Sequence, residues 1–205
     1  MKMFLIYSYL ISRIITQIRI RYYSLIAYLL FISKGVRVGK NLRVTGPIDF
    51  YIHWKAKLQI GDNCWINSGF LENPVGGFRK TGLYVGPDGV LIIGNDVGIS
   101  NSTIVCVNSI LIEDHVFIGG DSNIYDTDFH SQNKVLRGTL NDKGDTSAII
   151  FMRNCFIGGH CLILKGVVIG EGAIVGAQSV VTKSIGANQL WAGNPARFVK
   201  GIPIE

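Results

Sequence analysis

Phe151-Met-Arg-Asn-Cys-Phe-Ile157-Gly-Gly-His-Cys-Leu-Ile163-Leu-Lys-Gly-Val-Val-Ile169-Gly-Glu-Gly-Ala-Ile-Val175-Gly-Ala-Gln-Ser-Val-Val181 carries a large apolar residue at every sixth position. Gly158, Gly170 and Gly176 each follow one of them. The same spacing extends backwards through Ile112, Ile118 and Ile124, then Ile93 and Ile99, then Ile60 and Ile66, and in worn form Val38 and Val44. A period of six is neither the 3.6 of a helix nor the 2 of a lone strand. It suits a three-sided coil in which each side is a short strand and a turn. One aliphatic per side points into a shared core, and about eighteen residues make one rung. Small residues after each aliphatic let the chain turn tightly.

The register also accounts for three of the four cysteines. Cys64, Cys155 and Cys161 sit four places after Ile60, Phe151 and Ile157. Val97, Val116, Ala173 and Ser179 fill the equivalent slot, so a buried structural thiol is expected there rather than a nucleophile. The spacing suits neither a disulfide framework nor a zinc site and points to a reducing compartment.

The 205 residues are 48% apolar and 17% charged, with 25 Gly, which suits one folded domain with an appendage. The formal charge is +6. Residues 1–48 hold eight basic side chains and no acid, whereas the remaining twelve basic and fourteen acidic residues give −2. The basic segment is also greasy, with apolar runs Phe4–Ile11 and Tyr22–Ile32 around Arg13, Arg19 and Arg21. Neither run reaches the ~20 residues of a spanning helix, and no small-x-small cleavage site follows the first, so no signal peptide is expected. On a helix, Ser12, Thr16 and Arg19 line up beside Arg13, Gln17, Arg21 and Ser24 as a polar stripe within a broad apolar surface. Residues 1–33 therefore suit an amphipathic helix on an anionic membrane, or a helical pair packed on the body or on a neighbouring subunit. A nucleic-acid arm does not fit, because cations are sparse among aliphatics.

The period stops after Ile124 and resumes near Phe151. The polar stretch between them reads as a loop, about 126–149, thrown out on one face of the solenoid. His130 stands at its base beside acids. His115 and His160 fall three places after Ile112 and Ile157, at outward corners, and read as solvent-facing turn residues; His53 carries little signal. The segment Asn73–Lys80, with a proline and two glycines, reads as a second loop of unassigned role.

The hexapeptide run, Tyr125-Asp-Thr-Asp-Phe-His-Ser131 and Ala192-Gly-Asn-Pro-Ala-Arg197 together resemble the hexapeptide-repeat acetyltransferases. The likeness covers residues 36–205. It is nearest to the sugar O-acetyltransferases of bacterial polysaccharide synthesis, and broader to the maltose and galactoside acetyltransferases. It implies an all-β fold, a left-handed parallel β-helix over 36–190, behind a helical segment at 1–35 and ahead of a tail at 191–205. It also implies a homotrimer with active sites between subunits, acetyl-CoA as co-substrate, a saccharide acceptor and a cytoplasmic location, peripheral to the inner membrane if the helix binds lipid. In the family the catalytic His lies where His130 stands. An imidazole with a pKa of about 6.5 can take the proton of a sugar hydroxyl; direct transfer then needs no acyl-enzyme, and no metal is expected. Asp128 or Asp126 could orient the ring, as could a main-chain carbonyl.

The resemblance carries cofactor contact onto Gly158, Gly159, Gly176, Ala177, Thr182, Lys183 and Arg197. It carries it also onto Phe156, where the family often has Trp. It places acceptor contacts near Asn101, Tyr125 and Asp126. Trp54, Trp65, Phe70 and Tyr84 could stack on a sugar or cap the coil. N-acetylation of an amino sugar nucleotide and a non-catalytic scaffold are the rival functions. A zinc site of the γ-carbonic anhydrase kind would need three converging His, and His115, His130 and His160 fall at unlike places in the repeat.

Overall fold

A computed structural model describes residues 2–69 and 73–203, with side chains from residue 6 onward. Three parallel sheets wrap one core as the three faces of a coil. The first face stacks Arg37–Val38, Lys57–Ile60, Val90–Ile93, Ser109–Ile112, Ile149–Phe151 and Val168–Ile169. The second stacks Arg43–Val44, Trp65–Asn67, Gly98–Ser100, Phe117–Ile118, Phe156–Ile157 and Ile174–Val175. The third stacks Asp49–Ile52, Gly82–Val85, Thr103–Cys106, Asn123–Tyr125, Leu162–Ile163 and Val180–Val181. Six rungs result, and the sixfold period is their cause. Val44, Ile60, Ile66, Ile93, Ile99, Ile112, Ile118, Ile124 and the whole run from Phe151 to Val181 point inward and are buried; only Val38, in the first rung, is half-exposed.

The corners explain the small and polar residues. Between the first and second faces, Asn41, Asn63, Asp96, His115 and Asn154 take φ between 55° and 62°, a left-handed turn that Asn and Asp tolerate best. Side chains there tie rung to rung: Asp62 Oδ1 accepts from Lys40 N at 2.7 Å, and Asn95 Oδ1 from Asp62 N at 2.8 Å. All four cysteines are free and buried. Burial pushes Cys64 up to about 11 and Cys106 and Cys155 up to about 12.

The N-terminus forms one helix, α1 (Lys2–Ser33), rather than a helical pair. No Gly or Pro interrupts these residues, so nothing breaks the backbone ladder. Its later half lies over the first rung. Ala27 and Phe31 close the core, the Phe31 ring meets Phe50 at 5.3 Å, and Ser24 Oγ accepts from Val44 N at 2.9 Å. The less exposed stripe runs Thr16, Arg19, Ile20, Tyr23, Ser24, Ala27, Phe31. The narrow, partly polar stripe thus faces the coil, and Ile11, Ile14, Ile15, Ile18 and Tyr22 stay exposed. Among the described residues no helix is long and apolar enough to cross a membrane.

At the far end, Gln189–Ala192 continues the second face and Arg197–Gly201 folds back antiparallel on it. Two insertions interrupt the coil. The smaller, described at 68–69 and 73–81, lies between the second and third faces in the second rung; the larger, residues 126–148, follows the third face after the fourth rung.

Candidate active site

The larger insertion is built from its base. Thr127 pairs antiparallel with Thr146, Asp128 N donates to Asp145 O at 3.0 Å, and Ser147 N donates to Asp126 O at 3.0 Å. The two arms thus form a short ladder. Phe129 takes a left-handed φ of 65°, and His130 N donates to Asp128 O at 2.8 Å. This tight turn carries His130 outward, with its side chain 70% exposed.

Asp142 receives the ring. Its Oδ2 lies 2.8 Å from His130 Nδ1, Oδ1 accepts from Ser131 N at 2.6 Å, and Oδ2 also accepts from Gly138 N at 2.7 Å. The Ser131 and Gly138 amides and the His130 ring hold the Asp142 carboxyl down at about 2. A carboxylate so fixed accepts only, so the Nδ1 atom of a neutral ring must carry the proton. The Nε2 lone pair is then left free to act as a base.

The two acids expected to orient the ring do other work. Asp128 Oδ2 binds Lys165 Nζ at 3.0 Å and Gln132 Nε2 at 3.2 Å, and the Lys165 contact lowers its pKa. It pins the loop to the corner of the next rung. Asp126 is fully buried, and its carboxylate accepts from Val107 N at 2.9 Å and Asn108 N at 2.8 Å, closing that corner in the rung before. It is placed to meet neither imidazole nor acceptor. Sequence reasoning missed Asp142, twelve residues beyond His130; an acid among exposed polar residues, between Gly138 and Gly144, carries no register signal.

Asn101 is likewise buried. Its Nδ2 donates to Asn73 O at 2.9 Å and its Oδ1 accepts from Gly69 N at 2.8 Å, so it anchors the smaller insertion instead of facing an acceptor. Tyr125 is half-buried; its hydroxyl donates to Asn123 Oδ1 at 3.0 Å and its ring meets Phe129 edge-on at 5.2 Å. Burial raises its phenol.

The residues matched to cofactor binding fall into two groups. Gly158, Gly159, Gly176, Ala177 and Arg197 lie at or beside the corner between the second and third faces, with Phe156 exposed on the second face. Thr182 and Lys183 lie exposed at the corner between the third and first faces, the corner from which the His130 loop departs. Gly158 is required by the coil itself, since a Cβ there would stand 2.6 Å from Ala177 N. A Cβ on Gly159 would stand 3.1 Å from Val75 of the smaller insertion, and one on Gly176 2.9 Å from Ala192.

The smaller insertion drapes over that corner. Arg79 Nη1 reaches Asp121 Oδ1 at 3.0 Å and Asn123 Oδ1 at 3.3 Å, two rungs on. Trp54 stands at a corner of the first rung, Trp65 on the second face under Arg43 at 5.4 Å, and Tyr84 on the third face, so they share no platform; Phe70 lies outside the described residues. His115 and His160 project at two different corners with φ of 58° and 59°, and His160 Nδ1 meets Asp121 Oδ2 at 3.2 Å. Within one chain the three histidines do not converge.

Known proteins share parts of this sequence and its fold. The family model for the bacterial transferase hexapeptide (six repeats) matches residues 149–183. WcaF of Escherichia coli K12, named for acetyl transfer in colanic acid biosynthesis, is 27% identical over 166 residues, 81% of the chain and 69% of WcaF. A Staphylococcus aureus protein named as an acetyltransferase is 50% identical over 52 residues, but the match spans only 25% of the chain and 26% of that relative. A Vibrio cholerae hexapeptide-repeat acetyltransferase, solved with acetyl coenzyme A, is 30% identical over 56% of the chain and 61% of its own, with a TM-score of 0.52. The Bacillus cereus N-acyltransferase AntD shares the fold at a TM-score of 0.65 and 22% identity, over 86% of the chain and 88% of its own.

Proposed function

We propose, for a chain that is a hexapeptide-repeat, left-handed β-helix protein, that it transfers an acetyl group from acetyl-CoA to a saccharide hydroxyl in surface polysaccharide assembly. The observation that carries this is the His130–Asp142 pair, an exposed imidazole whose Nδ1 is engaged and whose Nε2 is free. Nε2 takes the proton of the acceptor hydroxyl as its oxygen attacks the thioester carbonyl. Backbone N–H groups stabilise the tetrahedral oxyanion. The imidazolium, held by the ionised Asp142, then gives the proton to the departing CoA thiolate. The likeness to WcaF over most of the chain supports the saccharide acceptor.

The split between the two groups of cofactor residues supports a homotrimer. One CoA reaches Gly176, Ala177 and Arg197 at one corner and Thr182 and Lys183 at the other when those corners belong to neighbouring copies. Each active site then lies between subunits. The outward apolar surface of α1, with eight cations and no acid in residues 1–48, supports seating on the anionic inner face of the cell membrane.

The test is acetyl-CoA supplied with glycans extracted from the producing cells. The reading expects a product acetyl released by mild alkali, as an ester is. An alkali-stable acetyl favours the amide and an amino sugar acceptor; no acetylated product favours a scaffold. For the membrane, Ile11→Ser, Ile15→Ser and Ile18→Ser together should lower affinity for anionic vesicles while leaving the Phe31-capped core intact. Unchanged affinity assigns the helix to assembly.

A further inference from the structure

The corner between the second and third faces closes step by step along the coil. Ala177 in the sixth rung is exposed, Gly159 in the fifth is half-buried, and Gly120 in the fourth and Asn101 in the third are buried. One helical turn of the smaller insertion, Pro74–Gly76, closes it; Asn73 caps this turn, its Oδ1 accepting from Val75 N at 3.0 Å. Gly76 backs onto the Asn101 side chain and onto Gly120, where a Cβ would stand 3.0 Å from Gly76 N. Val75 reaches one rung further, to Gly159, where a Cβ would stand 3.1 Å from Val75 Cγ1. Asn101 Nδ2 donates to Asn73 O at 2.9 Å and Arg79 Nη1 meets Asp121 Oδ1 at 3.0 Å, so the turn is tied down on both sides. Val75 itself is 53% exposed. Its methyl groups stand where the covered part of the corner meets the open part.

That boundary coincides with the end of the cofactor line. Gly176 and Ala177 lie on this corner in the sixth rung and Gly158 and Gly159 in the fifth, with Arg197 beyond them and Lys183 at the other corner. A CoA laid along the line with its phosphates at the two cations brings its thioester to Gly159. Copies related by a three-fold axis parallel to the coil stand at one height. His130 follows the third face after the fourth rung, so the His130 of a neighbouring copy comes level with Gly120 and Gly159. The acyl carbonyl then lies between that imidazole and the corner, and its alkyl end meets Val75. Covering the fourth rung removes about 4.8 Å of open corner, more than the two carbons by which butyryl exceeds acetyl. Val75 has neither charge nor hydrogen-bonding group in its side chain; what it presents to a ligand is an apolar wall.

We propose that Val75, held on the Pro74–Gly76 turn, ends the acyl channel beside the His130 of a neighbouring copy and restricts the donor to short acyl thioesters of CoA. This rests on the acetyl-transfer reading and its trimer, and adds what selects the acyl group. The experiment titrates the full chain with acetyl-, propionyl- and butyryl-CoA in a calorimeter without acceptor, then measures transfer from each to an extracted glycan. The wild type should bind acetyl-CoA at least about tenfold more tightly than butyryl-CoA, since one methylene too many in a fitted pocket costs about 10–200-fold. Val75→Ala removes two carbons, as many as butyryl adds to acetyl, and should erase most of that gap. Val75→Leu should extend the discrimination to propionyl-CoA. The two substitutions push the ratio in opposite directions, which a general loosening of the turn would not do. Equal binding of acetyl- and butyryl-CoA by the wild type, or a ratio that neither substitution moves, overturns the proposal. His130→Ala separates the two readings: it should keep the binding ratio and lose acetyl transfer. A binding ratio set by Val75 with unchanged transfer by His130→Ala would leave the wall standing and remove the base.

Discussion

Replacing Asp142 by Asn removes a charge and almost no volume, and the structure says where the change is felt. Three N–H donors converge on the carboxylate, Ser131 N on Oδ1 and both Gly138 N and His130 Nδ1 on Oδ2. A carboxamide has one acceptor oxygen, so one of its two positions must present N–H to N–H. If the oxygen stays with Ser131, the amide faces His130, and the ring must move its proton to Nε2 so that Nδ1 can accept. The base is then lost. If the oxygen stays with His130, the turn at Ser131 loses its bond and the ring its fixed position. Either outcome removes the base contribution, typically about 10²–10⁴-fold in rate. Steady-state kinetics with acetyl-CoA and an extracted glycan acceptor should show that fall in kcat with KM for acetyl-CoA unchanged, because no cofactor contact is altered. A variant that keeps the wild-type kcat refutes the role given to Asp142.

Lowering pH tests the same contact on the folded state. Asp142 is held at about 2, below the ordinary carboxylate value of about 3.9, so its stabilisation of the loop is present above about pH 4 and lost as pH falls towards 2. Limited acid proteolysis should cut first within 131–141 in that window; loss of the core at the same pH as the loop contradicts this. The thiols of Cys64, Cys106 and Cys155, pushed to about 11 and 12 by burial, should resist iodoacetamide at pH 8 in the folded protein and react once it is denatured. Gly158→Ala forces a Cβ against backbone atoms of Ala177 and Val175. It should cost about 1–3 kcal/mol and lower Tm by several degrees in a thermal melt, whereas an unchanged Tm would show that the rungs can part there.

The coil was legible because each rung repeats the same demand: Ile157, Ile163 and Ile169 differ in neighbours but meet the same core. The slots of Cys64, Cys155 and Cys161 follow from that demand, and so does the interruption that exposes His130. The details of the interruption were not legible. Asp142 reaches the ring only because the two arms of the loop pair at Thr127 and Thr146, a contact with no periodic trace. Asp126 and Asn101 are matched to acceptor contacts by the family resemblance alone. Here each closes a corner from inside, where unpaired backbone N–H groups would be costly.

His130→Ala tests the account most directly. The ring is exposed and packs nothing in the core, so the variant should fold and melt as the wild type does. Acetyl ester formed on a saccharide acceptor from acetyl-CoA should fall by about 10²–10⁴-fold. Ester formation at the wild-type rate would contradict the proposal that this imidazole is the base.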